Sequence, residues 1–363
     1  MAMILRSLSL QNFRSYKKTA FEFSPQTTLI VGKNTSGKTN LLEAVHLLAT
    51  GKSFRAEQES EMIRWGEEIS HVSAEVSPAR LPALQKDDST LKVMLTTGNV
   101  NGQKTPIKKY LVNGIPRRQI DFIGNFRAVL FWPEDLEIVT DSPSLRRRYL
   151  DSVLVQVDRE YRRNLYSYER GLRQRNRLLD LIGEGKAHRH QLTFWDQLLI
   201  KAGGYITNKR QEYIDFVNAD KNDKGYNNNK ITYDKSVISE ARLLQYKDEE
   251  IAAGATLVGP HRDDFVVQVK SEEGVNYLDL SKYGSRGEQR LAVLWLKLAE
   301  LDFIESKTEE RPVLLLDDIF SELDEEHREL VLKTMDKQQT IVTATDEGWI
   351  PKAIYKQIQV IRL

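Results

Sequence analysis

Ile4-Leu5-Arg6-Ser7-Leu8-Ser9-Leu10 alternates apolar and polar side chains, the period of a half-buried strand. Thr28-Leu29-Ile30-Val31 is a continuous apolar run, as expected for a strand covered on both faces, so residues 3–31 read as two strands around a turn. Beyond it, Asn40 to Leu48 (NLLEAVHLL) spaces its apolar positions as one face of a helix does. From Ser70 to Val139 the pattern predicts several short strands of an antiparallel sheet, with turns at Ser77-Pro78, Gly98-Asn99 and Asn113-Gly114. Pro143 suits a first helical turn and opens a helical region from Ser144 to about Leu181, punctuated by Gly183 and Gly185. A second helix runs from about Gln191 to Val217, and the polar stretch Asn218–Lys230 reads as a loop. Strand patterning returns near Gly254, and Glu288–Ile304 is helical. A strand at Val313–Leu316, a helix from about Glu325 to Met335 and a buried strand at Thr340–Val342 complete the series.

The helices between 144 and 217 do not hold an apolar heptad, so they predict a compact helical lobe and no long coiled coil. At 363 residues the chain has room for two or three domains. Its net charge of +1 argues neither for nor against nucleic acid, so any basic surface must come from local segregation. The absence of cysteine excludes disulfides, thiolate metal sites and cysteine nucleophiles, and suits a reducing cytosol. Arg6 and Gln11 interrupt the apolar core a signal peptide would need, and no stretch approaches the roughly eighteen apolar residues of a membrane span. The expectation is a soluble cytoplasmic protein with no membrane partner.

Gly32–Thr39 (GKNTSGKT) fits G-x-x-x-x-G-K-[ST], and it lies between a predicted strand and a predicted helix. Gly32, Lys33, Asn34, Thr35, Ser36 and Gly37 would wrap phosphates, followed by Lys38, Thr39 and Asn40 at the helix start. Lys38 should reach the β- and γ-phosphates of ATP, and the Thr39 hydroxyl should ligate Mg²⁺. Pro312–Asp324 (PVLLLDDIFSELD) is an apolar run ending in two carboxylates. Asp317 is the expected Mg²⁺ ligand, and Asp318 is placed to polarise the attacking water. Asp318 is one methylene shorter than glutamate, and a carboxylate without a direct part in hydrolysis is the plain alternative.

The two motifs lie 278 positions apart (317 − 39), which indicates an α/β ATPase head interrupted by an insertion. The predicted head covers 1–140 and 250–363, with a helical lobe at 141–249. A third element, SRGEQR (Ser285–Arg290), opens an amphipathic helix, where Ser285, Gly287 and Glu288 sit at an anion-favouring helix N-terminus. One nucleotide does not need two phosphate sites in one chain. A second subunit's nucleotide does, as in ABC-type ATPases whose paired heads sandwich ATP. An ordinary capped helix is the alternative. Ser321–Asp324 (SELD) falls where such heads make dimer contacts, and Thr345 where many carry a γ-phosphate-sensing histidine.

NFRSY (Asn12–Tyr16), GKTNLLEAV (Gly37–Val45), FWPEDLEIV (Phe131–Val139), PSLRRRYLD (Pro143–Asp151), VGPHRDD (Val258–Asp264), YGSRGEQR (Tyr283–Arg290) and LLLDDIFSELD (Leu314–Asp324) run in order along the chain. Together they resemble the signatures of the RecF family, bacterial recombination mediators related to the heads of SMC proteins. The resemblance implies an ABC/SMC-type ATPase head, ATP-dependent dimerisation, and DNA binding in replication and repair. It also implies partnership with RecR and, through RecO and RecR, the loading of RecA at single-stranded gaps. The chain departs from the pattern at Thr35 and Ser36, where small residues are frequent, and in the more charged Arg286-Gly287-Glu288. It departs again at Thr140-Asp141, where a glycine is common.

Between Arg146 and Arg177 stand ten arginines, no lysine and four acids. Arg159, Arg163, Tyr166, Arg170, Arg173 and Arg177 follow a three/four spacing and share one helix face, whereas Tyr161, Leu165, Tyr168 and Leu172 lie mostly elsewhere. An arginine face with an interleaved aromatic suits sequence-independent phosphate contact at a gap or duplex junction. A solvated, partly ion-paired face is the plain alternative. Two other functional classes compete with a weak, DNA-stimulated ATPase: a DNA-bridging protein using ATP only as dimer glue, and an ABC transporter nucleotide-binding subunit.

Overall fold

A computed structural model describes residues 2–78, 88–219, 228–271, 276–321, 325–346 and 358–363, and divides the chain into two units. The first comprises Met1–Asp135 and Lys297–Leu363, the second Leu136–Leu296. Glu322–Asp324 and most of the predicted loop at 218–230 lie outside the described residues.

The first unit sorts its strands into two main sheets. One is antiparallel and six-stranded, in the order Tyr16–Glu22, Met3–Phe13, Ile69–Pro78, Ser89–Thr96, Lys108–Val112, Ile115–Arg117. Strand Tyr16–Glu22 escaped the pattern because it is an edge: Lys17, Lys18, Ala20 and Glu22 are exposed, leaving little alternation to read. The tight turn before it puts Asn12 and Arg14 at positive φ (51° and 50°).

The other sheet is wholly parallel, in the order Ala128–Phe131, Val313–Asp317, Thr340–Ala344, Thr27–Val31, Gln359–Arg362. Its inner strands are almost entirely buried, which explains their continuous apolar runs. Gln359–Arg362, half exposed at the edge, was not anticipated. Each inner strand ends at the same edge of the sheet, so this order alone brings together the residues that follow Val31, Leu316 and Ala344.

A buried charge cluster lies in this unit. The Lys297 ammonium is 3.1 Å from Asp135 and 3.6 Å from Glu300 Oε2, and Asp135 also accepts a hydrogen bond from the Trp132 amide (3.0 Å). Burial works against the Lys297 charge, but the two carboxylates outweigh it and hold its pKa above the ordinary value. Burial raises Glu300 to about 7, so the folded state retains a proton that the unfolded chain has lost. The stabilisation is complete below the unfolded pKa and disappears as pH rises through about 7. Glu300→Gln should flatten the loss of thermal stability between pH 5 and 8 by on the order of 2 kcal/mol relative to wild type. Parallel melting curves across that range would contradict the assignment.

In the second unit, Pro143–Val157, Arg159–Gly183 and Thr193–Ala219 are helices beside a three-stranded antiparallel sheet of Asn229–Asp234, Asp264–Lys270 and Tyr277–Asp279. The predicted helix from Ser144 is broken at Asp158, whose side chain caps the next helix by accepting from the Tyr161 amide (2.9 Å). Near Gly254 there is a helix end, Lys247–Ala253 with Gly254 at φ +60°, and the strand begins only at Asp264. Residues 250–296, expected in the head, group with the helical unit. Asp263 is fully buried there, accepting from Arg210 Nη1 (3.2 Å), the Ser236 amide (2.7 Å) and the Tyr233 hydroxyl, while the following strand pairs with Asn229–Asp234.

Candidate nucleotide-binding site

The strand Thr27–Val31 runs into Gly32, and the helix Lys38–Thr50 starts six residues later with no acidic residue in its first turn. Between them the loop turns tightly: the Ser36 amide donates to the Lys33 carbonyl (3.1 Å), Thr35 sits at φ 70° and Gly37 at φ 108°. A Cβ on Gly37 would lie 2.9 Å from the Tyr16 hydroxyl, so close approach as well as conformation demands glycine. The Lys38 ammonium is buried under the loop, donating to the carbonyls of Gly32 (2.9 Å) and Lys33 (3.3 Å). It stands 3.8 Å from Asp318 Oδ2. Lys33, Asn34 and Thr35 are exposed, while Ser36, Thr39 and Asn40 are half-buried.

Asp317 ends its strand directly opposite Thr343, and Thr343 lies opposite Ile30 of the loop strand. The Thr343 hydroxyl donates to Asp317 Oδ1 (2.7 Å) and accepts from the Asp318 amide (3.0 Å), fixing both acidic residues. Thr343 is a site residue that the sequence pattern did not single out. Asp318 adopts φ 51°, and burial together with neighbouring Asp317 raises its pKa, against the opposing pull of Lys38. Thr345 follows the central strand and is exposed. The structure therefore brings Lys38, Asp317 and Asp318 into one cluster at the carboxyl edge of the parallel sheet.

Ser36 Oγ is buried without a hydrogen-bond partner among the described residues, an unsatisfied donor inside a loop lined by a cation. That fits a phosphate chain. A half-buried hydroxyl at Thr39 and an oriented carboxylate at Asp317 fit Mg²⁺, which keeps several waters and takes few protein ligands.

In the second unit, Ser285 and Glu288 form a reciprocal cap at the start of the helix Arg286–Thr308. Glu288 Oε2 accepts from the Ser285 amide (2.7 Å) and hydroxyl (2.8 Å), and these bonds lower its pKa. Ser285, Arg286, Gly287 and Glu288 are all exposed, and a Cβ on Gly287 would meet nothing closer than 3.9 Å. The cap explains the Ser-x-x-Glu spacing, and the open surface leaves the motif accessible.

Arg159, Arg163, Arg170, Arg173 and Arg177 are all exposed along the helix Arg159–Gly183, with Tyr166 exposed among them, while Tyr161 and Tyr168 are buried. Arg163 lies 3.7 Å from Glu160. Among the described residues Arg170, Arg173 and Arg177 make no hydrogen bond or ion pair. Other arginines of the same stretch are structural: Arg175 is buried against Asp196 and Glu250 (2.7 Å each), and Arg146 pairs with Asp264 (2.6 Å).

A phosphate-type loop on one parallel strand, with an acidic strand one place removed across a threonine-bearing strand, defines an ATPase head of the SMC/ABC class. The family model described as RecF/RecN/SMC N terminal domain matches residues 4–362. "DNA replication and repair protein RecF" of Lachnoclostridium phytofermentans is 37% identical over 94% of this chain and 93% of its own, and that of Herpetosiphon aurantiacus is 39% identical over 95% and 94%. A solved RecF–ATP structure of the RecFOR pathway superposes with a TM-score of 0.84 at 32% identity, covering 96% of this chain and 94% of that one. The chain belongs to the RecF family. An SMC head domain from Pyrococcus furiosus, at a TM-score of 0.51 and 16% identity, shares the fold. Among the described residues no helix is long and apolar enough to cross a membrane.

Proposed function

We propose that two copies of this chain close around ATP, grip DNA sequence-independently, and separate after slow hydrolysis. One copy supplies Lys38, with the loop Gly32–Asn40, and Asp317, Asp318 and Thr345. The other supplies Ser285, Gly287 and Glu288 at an exposed helix start. Thr39 and Asp317 would hold Mg²⁺, which neutralises phosphate charge. Arg159, Arg163, Arg170, Arg173 and Arg177 bind the DNA backbone at a gap or single-strand/duplex junction. The family implies RecR as the direct partner, with RecO and RecA downstream, in the cytoplasm. The observation that carries this reading is the cluster of Lys38, Asp317 and Asp318, with the cation 3.8 Å from the second carboxylate. The ATP-bound relative supports it.

Hydrolysis here needs positioning and charge stabilisation rather than a covalent intermediate. Asp318 serves as the water-orienting group, its amide held by the Thr343 hydroxyl at the carboxyl edge of the parallel sheet. Asp318→Asn should retain ATP binding and the dimer seen by light scattering with Mg·ATP, while phosphate release falls about 100-fold. Wild-type turnover in this variant would remove Asp318 from the mechanism. A wild-type protein that stays single with saturating Mg·ATP and DNA would overturn the dimer itself.

A further inference from the structure

We propose that Tyr16, at the end of the N-terminal hairpin turn, is a positioning residue that sets the affinity of the phosphate loop for ATP. Its hydroxyl donates to the Gly37 carbonyl (3.1 Å), the peptide that joins the loop to Lys38. That carbonyl also begins the helix, accepting from the Leu41 amide (3.0 Å). The phenol is buried, and burial pushes its pKa up to about 12, so it keeps its proton and remains a donor at every working pH.

The rest of the turn holds the same helix start. Ser15 Oγ accepts from Asn40 Nδ2 (2.8 Å), one residue past Thr39. Arg14 forks onto the fully buried Glu43 carboxylate (2.8 and 2.6 Å), which Arg55 grips from another side (2.8 Å). Burial opposes the Glu43 charge, but Arg14, Arg55 and Ser53 outweigh it and hold its pKa below the usual range. Arg64 in turn donates to the Ser15 carbonyl (2.6 Å), so the turn is itself held.

The consequence is local and directional. Gly37 sits at φ 108°, a conformation that favours glycine, and its carbonyl takes two hydrogen bonds, from the Leu41 amide within the helix and from the Tyr16 hydroxyl outside it. The Tyr16 hydroxyl ties that peptide to the hairpin turn, so the junction of loop and helix is held by a second element as well as by the helix's own bond. Without that bond the loop must be ordered by the nucleotide, and the ordering cost appears as weaker binding.

This inference rests on the loop being an ATP site, and the test separates the two. Tyr16→Phe retains the ring that packs edge-on against Phe21 (5.7 Å) and removes only the hydroxyl. Titration with a fluorescent ATP analogue should show its Kd raised by about three- to tenfold over wild type. The fall in kcat/KM should be carried by KM, with the melting temperature within about 2 °C of wild type. A purely structural tyrosine would lower the melting temperature and leave Kd and KM alone, and that result overturns the proposal. If Tyr16→Phe melts too low to assay under standard conditions, the variant and wild type are titrated together at a temperature well below the variant's melting transition. An unchanged Kd under those conditions overturns the proposal. Wild-type protein that fails to bind the analogue at all refutes the ATP site and the inference with it, whereas normal wild-type binding with an unchanged Kd in Tyr16→Phe refutes the inference alone.

Discussion

Lys38→Ala should lower ATP affinity about 100-fold or more and abolish ATP-dependent dimerisation, with little effect on the fold. The ammonium is buried and held by two loop carbonyls, so it is fixed within the loop before any nucleotide arrives. Charge-assisted hydrogen bonds to phosphate contribute roughly 1.5–3 kcal/mol each, and this side chain can make two. Removing it also takes away the cation that stands 3.8 Å from Asp318. Size-exclusion chromatography with and without Mg·ATP checks the dimer, and equilibrium dialysis checks the affinity. Ser285→Arg supplies the complementary arm: it should bind ATP normally as a single chain and fail to pair. A Lys38→Ala protein that dimerises as wild type does, with DNA affinity indifferent to ATP, would remove the switch.

What could be read from the sequence follows from how local each feature is. The loop Gly32–Thr39 and the run ending at Asp317 are contiguous, and their flanking patterns state their strand and helix contexts. Thr343 was not legible because its importance comes from strand order: it matters only once the strand Thr340–Ala344 lies between Val313–Asp317 and Thr27–Val31. Tyr16 was visible as part of a motif, yet its bond to Gly37 crosses the strands Tyr16–Glu22 and Thr27–Val31. The grouping of residues 250–296 with the helical unit was not legible for a related reason. Asp263 looks like one member of a charged turn, and only the fold reveals that it is buried against Arg210 and ties its segment to the helical unit. Helix faces fared better, because a three/four spacing is a property of the helix alone. All five predicted arginines of the long helix are exposed, and Arg175, outside that spacing, is buried.

Replacing Arg170, Arg173 and Arg177 together by alanine should weaken DNA binding about 100-fold or more near physiological salt and change its ionic-strength dependence. Each phosphate contact releases condensed counterions, so five arginines predict log K falling with log[salt] at a slope of about −4.5, and two remaining ones about −2. The slope distinguishes this face from a merely solvated one, because general destabilisation lowers affinity without altering the number of ions released. These three side chains stand exposed on one helix face and make no ion pair among the described residues, so their removal should leave stability within about 0.5 kcal/mol. The loss should be similar for unrelated sequences, since phosphate contacts do not discriminate bases. ATP-dependent dimerisation should persist, because none of the three belongs to the Lys38–Asp317–Asp318 cluster or to the Ser285 cap. Fluorescence anisotropy of a gapped duplex between 50 and 300 mM salt measures both quantities. An unchanged slope would mean that DNA lies on another surface and that the arginine face only keeps the helical unit soluble.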